Sequence, residues 1–104
     1  MLVTKLYIGL NDKDTKKQCF SDHIMDSQIR TILRDHGIDS YTMQSATGVY
    51  THNNGLTVLE NTRIVTIVDI SEFKLIKLGD DLKFKLNQEC IMVEQYECDV
   101  RFIY

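Results

Sequence analysis

Residues 48–68, "GVYTHNNGLTVLENTRIVTIV", decide the fold. Two runs rich in Val, Ile, Thr and Tyr flank His52-Asn53-Asn54-Gly55, and Asn54 and Gly55 both tolerate positive φ. The stretch therefore reads as a β-hairpin. Two registers suggest themselves. A two-residue Asn54-Gly55 turn pairs Tyr50 with Leu59, whereas a four-residue loop pairs Val49 with Val58. The choice matters because a one-residue slip sends every side chain to the other face of the sheet. Within the second strand "ENTR", residues 60–63, breaks an apolar run. Four polar residues there read either as a β-bulge or as a cluster that grips a ligand or a neighbouring subunit.

Working outward, residues 2–10 alternate, with Leu2, Leu6, Ile8 and Leu10 on one face and Val3, Lys5, Tyr7 and Gly9 on the other. This is a strand covered on one side. A polar loop follows, and Thr15 and Gln18 stand at capping-box spacing within it. The pattern predicts a helix over 21–36, with Ser21 as N-cap, an apolar stripe of Phe20, Ile24, Ile29, Ile32 and Leu33, and Gly37 just past its end. Strands follow over about 40–51 and 56–70. A second helix over 72–86 starts at Ser71 and carries the stripe Leu75, Leu78, Leu82 and Leu86. Asn87 closes it in a left-handed conformation. "CIMVEQY" gives a fourth strand, and "VRFIY" either extends it or adds a short fifth. The order β-α-β-β-α-β is that of an α+β ferredoxin-like sandwich spanning residues 1–104 as one domain, with a four-stranded antiparallel sheet and two helices on one face.

The other sheet face is left open, carrying Lys5, Tyr7, Gly9, Gln44, Ala46, Gly48, Tyr50, Met92 and Glu94. "RIVTIV" is apolar on both sides, so its outer side asks for cover. A homo-oligomer packed through the open face is the expectation, and Val65 or Ile67 is the residue to test.

Composition bounds the chemistry. The chain has 104 residues, 43% hydrophobic and 26% charged, with a net charge of −3. That balance argues against duplex nucleic acid as a partner, since neutralising phosphates needs a basic field. No apolar run is long enough for a membrane span, and residues 1–10 read as a strand rather than a signal peptide. Three cysteines without a CxxC pair fit a reducing cytoplasm and reduced thiols. The three histidines have no metal-type spacing, and no metal or cofactor is expected. The acidic balance and the lack of aromatics in the third strand argue against an RNA-recognition sheet.

"KLYIGLNDKD", "ATGVYTHNNGLTVLENTRIVTIV" and "KLNQECIMV" together resemble a family of short bacterial and phage proteins. Members open with an aromatic-x-Gly strand, carry a Gly-x-aromatic hairpin ending in Glu, and have Asn-Gln-Glu before the last strand. Cys90 departs from that pattern, which has serine there. The resemblance implies the ferredoxin-like fold and a setting in low-GC bacteria and their mobile elements, and it implies no activity.

The expected function is a non-enzymatic binding protein, phage- or mobile-element-encoded. It would act in counter-defence or host modulation, by inhibiting a host protein or by sequestering a small anionic, nucleotide-like signal. The candidate contacts are Tyr7, Asn11, Tyr50, His52, Asn53, Glu60, Asn61 and Arg63, because Tyr and Arg dominate binding hot spots and Arg63 suits a phosphate. No catalytic residue is assigned. One alternative is a metal-dependent nuclease or phosphodiesterase using the Asp12/Asp14 loop. Another is a ligand-sensing regulatory domain.

Overall fold

A computed structural model describes residues 1–104, in the order β1 (Leu2–Gly9), α1 (Asp22–Asp35), β2 (Thr42–Thr51), β3 (Thr57–Val68), α2 (Glu72–Lys85) and β4 (Met92–Glu97). The strands form one antiparallel sheet in the order β2-β3-β1-β4, the ferredoxin-like arrangement. No helix is long and apolar enough to cross a membrane.

Local chemistry sets the helix boundaries. The Ser21 hydroxyl accepts from the Ile24 amide and Ser71 from the Lys74 amide, each satisfying a donor left free at a helix start. Gly37 at φ +74° and Asn87 at φ +51° end the two helices in left-handed conformations. The predicted stripe of α2 is buried whole: Leu75, Leu78, Leu82 and Leu86. The stripe of α1 differs from expectation. Met25, Ile29, Ile32 and Leu33 are buried, while Phe20 and Ile24 are exposed. Phe20 lies before the cap, and Met25 rather than Ile24 stands at the spacing that continues Ile29 and Ile32. The loop from Asp12 to Gln18 holds no helix. Asp12 Oδ2 takes the amides of Asp14 and Thr15 instead, closing a turn on itself.

The hairpin register falls between the two that the sequence suggested. Val49 pairs with Leu59 and Tyr50 with Val58. His52 N donates to Leu56 O and Gly55 N to His52 O, both at 2.9 Å, with Gly55 at φ +85°. This is a three-residue loop with its last residue left-handed, the geometry that glycine favours.

Pairing is continuous through residues 60–63, so "ENTR" is not a bulge. Alternation sends Glu60 and Thr62 to the open face, and Asn61 and Arg63 to the helix face. Val65 and Ile67 point into the core, which corrects their selection as outward residues; Ile64 and Val68 take the outer side. Residues 98–104 form neither a fifth strand nor an extension of β4.

Arg63 reaches α1 from the helix face. Its Nε donates to Asp26 Oδ1 at 2.7 Å and its Nη2 to Asp22 Oδ2 at 2.9 Å, while the arginine is 4% exposed. Removing it leaves the partly buried Asp26 without its cation, while the half-exposed Asp22 turns to water. Arg63→Ala is expected to cost about 2–3 kcal/mol in urea denaturation, with Arg63→Lys recovering only part, because an ammonium cannot hold both aspartates in one planar fork.

Candidate functional site

Glu60 is the unusual residue of the open face. It lies near the hairpin end of β3, opposite Gly48. Small side chains surround it: Gly9 and Ala46 flank Thr62, its neighbour on the same face. A Cβ at Gly9 would meet Glu60 Cδ and Oε2 at 2.6 Å, and one at Gly48 would meet Thr62 Oγ1 at 2.8 Å. The two glycines thus open a hollow into which the Glu60 carboxylate folds. The Asn11 amide donates to Glu60 Oε2 at 3.1 Å. Glu60 is 7% exposed, and burial pushes its carboxyl above the usual range; the Asn11 amide and His52 pull the other way, while Glu89 adds to the rise.

A second carboxylate has the opposite fate. Glu89 follows α2 and Gln88 in the segment that leads into β4. Burial works against its charge, but Lys16, His52 and the Asn53 amide outweigh that and hold its carboxyl below the usual range. Lys16 Nζ lies 3.1 Å and His52 Nδ1 3.0 Å from Glu89 Oε1, and Asn53 N donates to Oε2 at 3.1 Å. Gln88 ties the same segment to the end of β1, its Nε2 donating to Asn11 O at 2.7 Å.

His52 bonds to the second carboxylate alone. Nδ1 faces Glu89, and Nε2 is buried without a hydrogen-bond partner. A buried polar atom left unpaired costs on the order of 1–3 kcal/mol. Functional sites are a common place for such an atom. The Tyr50 ring meets the imidazole edge-on at 5.1 Å, and its hydroxyl lies 2.6 Å from Cys90 Sγ. That contact first, then burial, pushes the Tyr50 phenol up, so it stays a neutral hydrogen-bonding group.

Of the expected contacts, the structure gathers Asn11, Tyr50, His52, Asn53 and Glu60 at one end of the sheet. Tyr7 shares the open face but turns towards β4, donating to Glu94 Oε1 at 2.7 Å. Asn61 and Arg63 lie on the opposite face. Asn61 Nδ2 donates to Gln18, and the Arg63 guanidinium is committed to Asp22 and Asp26, so neither shares the hollow with Glu60. The carboxylate that completes the His52 contact is Glu89, not Glu60. Its signal, the polar run "NQE" at the end of α2, is visible in the sequence, but nothing local says that it meets the hairpin. Asp12 and Asp14 both accept from Asn87 Nδ2, at 2.6 and 3.0 Å, and so serve to hold their loop on the end of α2.

No family model and no curated protein matches this chain. Solved structures do. A phage SAM lyase in complex with S-methyl-5'-thioadenosine is similar to it at a TM-score of 0.74 and 25% identity, over 92% of this chain and 80% of that one. A phage SAM lyase in the apo state is similar at a TM-score of 0.71 and 24% identity, over 91% and 78%. The fold is thus shared with enzymes whose ligand is a modified nucleoside.

The raised pKa of Glu60 gives a stability test. Its folded-state value lies above the unfolded one, so stability falls as pH rises through the window between them, and the full penalty applies above the folded value. Glu60→Gln keeps an acceptor for the Asn11 amide and removes the charge. It is expected to raise the melting temperature by about 2–4 °C at pH 8, with the gain closing as pH falls towards 4.5, the ordinary value. Gly9→Ala should abolish that pH dependence, because the new methyl displaces the carboxylate from the hollow.

Proposed function

We propose that this protein is a lyase acting on S-adenosylmethionine or a closely related adenosyl sulfonium, with Glu60 as the residue on which turnover depends. The buried, unpaired-by-cation Glu60 carboxylate carries this reading, supported by the likeness to the phage SAM lyases. A desolvated anion stabilises a ligand that brings positive charge, and S-adenosylmethionine brings a sulfonium and an ammonium.

A reaction that leaves S-methyl-5'-thioadenosine breaks the bond between sulfur and the methionyl Cγ. The bonding pair goes to sulfur, which becomes a neutral thioether. No water is consumed, so the carbon is satisfied from within the substrate. Its own carboxylate closing on Cγ gives a five-membered lactone with no proton to place, whereas an alkene would need a base to take a Cβ proton. Ring closure consumes one negative and one positive charge, so exclusion of water favours it. Glu60 fits the role of anchoring the substrate's cationic centre with the chain bent for closure. His52 Nε2 fits that of an acceptor for a donor on the nucleoside, its tautomer set by Glu89.

The hollow is open on one side in a single chain. Self-association through the open face, with Ile64, Val68, Met92 and Tyr96 as its apolar part, would bury that side and dry the site. Consumption of a methyl donor also agrees with a counter-defence or host-modulating role.

Incubation with S-adenosylmethionine, followed by liquid chromatography and mass spectrometry, is expected to yield S-methyl-5'-thioadenosine. Glu60→Gln should lower the rate by about 100-fold or more while the protein stays folded, a loss in the range of one preorganised electrostatic contact. Retention of the nucleoside without product would favour the non-enzymatic sequestering protein instead. Self-association has its own test in light scattering: Ile64→Glu is expected to reduce the mass to that of one chain without unfolding it, and a single-chain mass for the unaltered protein at micromolar concentration would rule the assembly out.

A further inference from the structure

The chain after β4, Asp99–Tyr104, is held only lightly by its own subunit: Val100 is half-buried, and the residues after it are exposed. The last backbone hydrogen bond joins Cys98 N to Met1 O, and beyond it the only side-chain hydrogen bond or ion pair is that of Arg101 with Asp99 two residues earlier. Yet this segment carries large apolar side chains. Phe102 is 59% exposed and Ile103 fully so. A solvated segment does not need such residues, and three in a row form a hydrophobic patch.

The same chain has an apolar groove without an occupant. It lies between α2 and the start of β4, about 350 Å³ in volume, with Ile76, Cys90, Ile91 and Val93 among its walls and Asp80 and Lys83 on its lining. The neighbouring Asp81 and Lys85 pair with each other, whereas Asp80 and Lys83 pair with nothing. The arm carries the complementary charges, Arg101 for Asp80 and Asp99 for Lys83, beside its apolar residues.

An arm cannot easily use the groove of its own subunit. The groove lies where β4 begins, at Met92 beside Tyr7, and the arm leaves where β4 ends, at Glu97 beside Leu2. A return needs a reversal, and residues 98–104 contain no glycine, no proline and no turn.

We infer that Asp99–Tyr104 is an exchange arm whose Phe102 and Ile103 fill the α2–β4 groove of a second copy of this chain. Asp99 and Arg101 fix its direction by meeting Lys83 and Asp80. The inference uses neither Glu60 nor the glycine-lined hollow around it, and it stands or falls apart from the catalytic reading, although Cys90 of the groove also touches Tyr50.

Cys90 in the groove supplies the test. In the full chain carrying Ile103→Cys, Cys19→Ser and Cys98→Ser, mild oxidation is expected to give disulfide-linked multimers on a non-reducing gel. These should vanish when Cys90→Ser is added. Phe102→Asp should lower the solution mass in light scattering, with the melting temperature of the dissociated chain kept within a few degrees. A disulfide confined to single chains would mean that the arm folds back on its own subunit, and no Cys90-dependent disulfide would mean that it does not enter the groove; either result overturns the proposal.

Discussion

The contact of Arg63 with Asp22 and Asp26 is the constraint on which the site depends. A strand alternates sides, so committing Arg63 to α1 commits Glu60 and Thr62 to the opposite face. A slip of one residue would swing the guanidinium away from both aspartates and take Glu60 off the open face. The slip would leave the partly buried Asp26 without its cation, which favours the observed register. The arginine acts at a distance from the hollow, by making one register much more stable than its neighbours.

On that frame, two glutamates take different electrostatic parts. Glu89 is surrounded by donors and stays ionised, which makes it an orienting group for His52. Glu60 has one backbone amide and otherwise a desolvated setting, which raises its proton affinity. Separating two acids by environment is a recurrent way to obtain distinct roles from one residue type. Glycines 9 and 48 are the space condition: side chains there would occupy the room that the carboxylate and Thr62 use. A carboxylate maintained at that cost, on the same end of the sheet as a buried imidazole nitrogen without a partner, is the feature that the proposed ligand would use.

The open sheet face and the arm after β4 both expose apolar surface, in different places. Cover on the sheet face would dry the Glu60 hollow. An exchanged arm would instead tie subunits together through the α2–β4 groove, whose Cys90 adjoins Tyr50. The two contacts are compatible in one assembly, and each is separable by substitution, because Ile64 and Val68 lie on the face and Phe102 and Ile103 on the arm.

Much of the fold is local and was therefore legible in the residues. Serine caps, left-handed residues at Gly37 and Asn87, the α2 leucine stripe and the alternation of β1 each depend on neighbours within a turn or a strand, so their order dictates the ferredoxin-like sandwich. The membership of Asn11, Tyr50, His52, Asn53 and Glu60 in a polar site could also be suspected, since polar residues at a hairpin are conspicuous against apolar strands. What alternation alone could not supply was the absolute face of each residue in "ENTR", because both sides of β3 are apolar beyond it and two hairpin registers looked acceptable. The three-residue turn around Gly55 settled that, and with it Arg63 became a core clasp rather than a ligand contact. The meeting of His52 with Glu89, separated by 37 residues, depends on where α2 ends in space. No pattern within either segment encodes that distance; only the packing of α2 across the sheet brings the two side chains together.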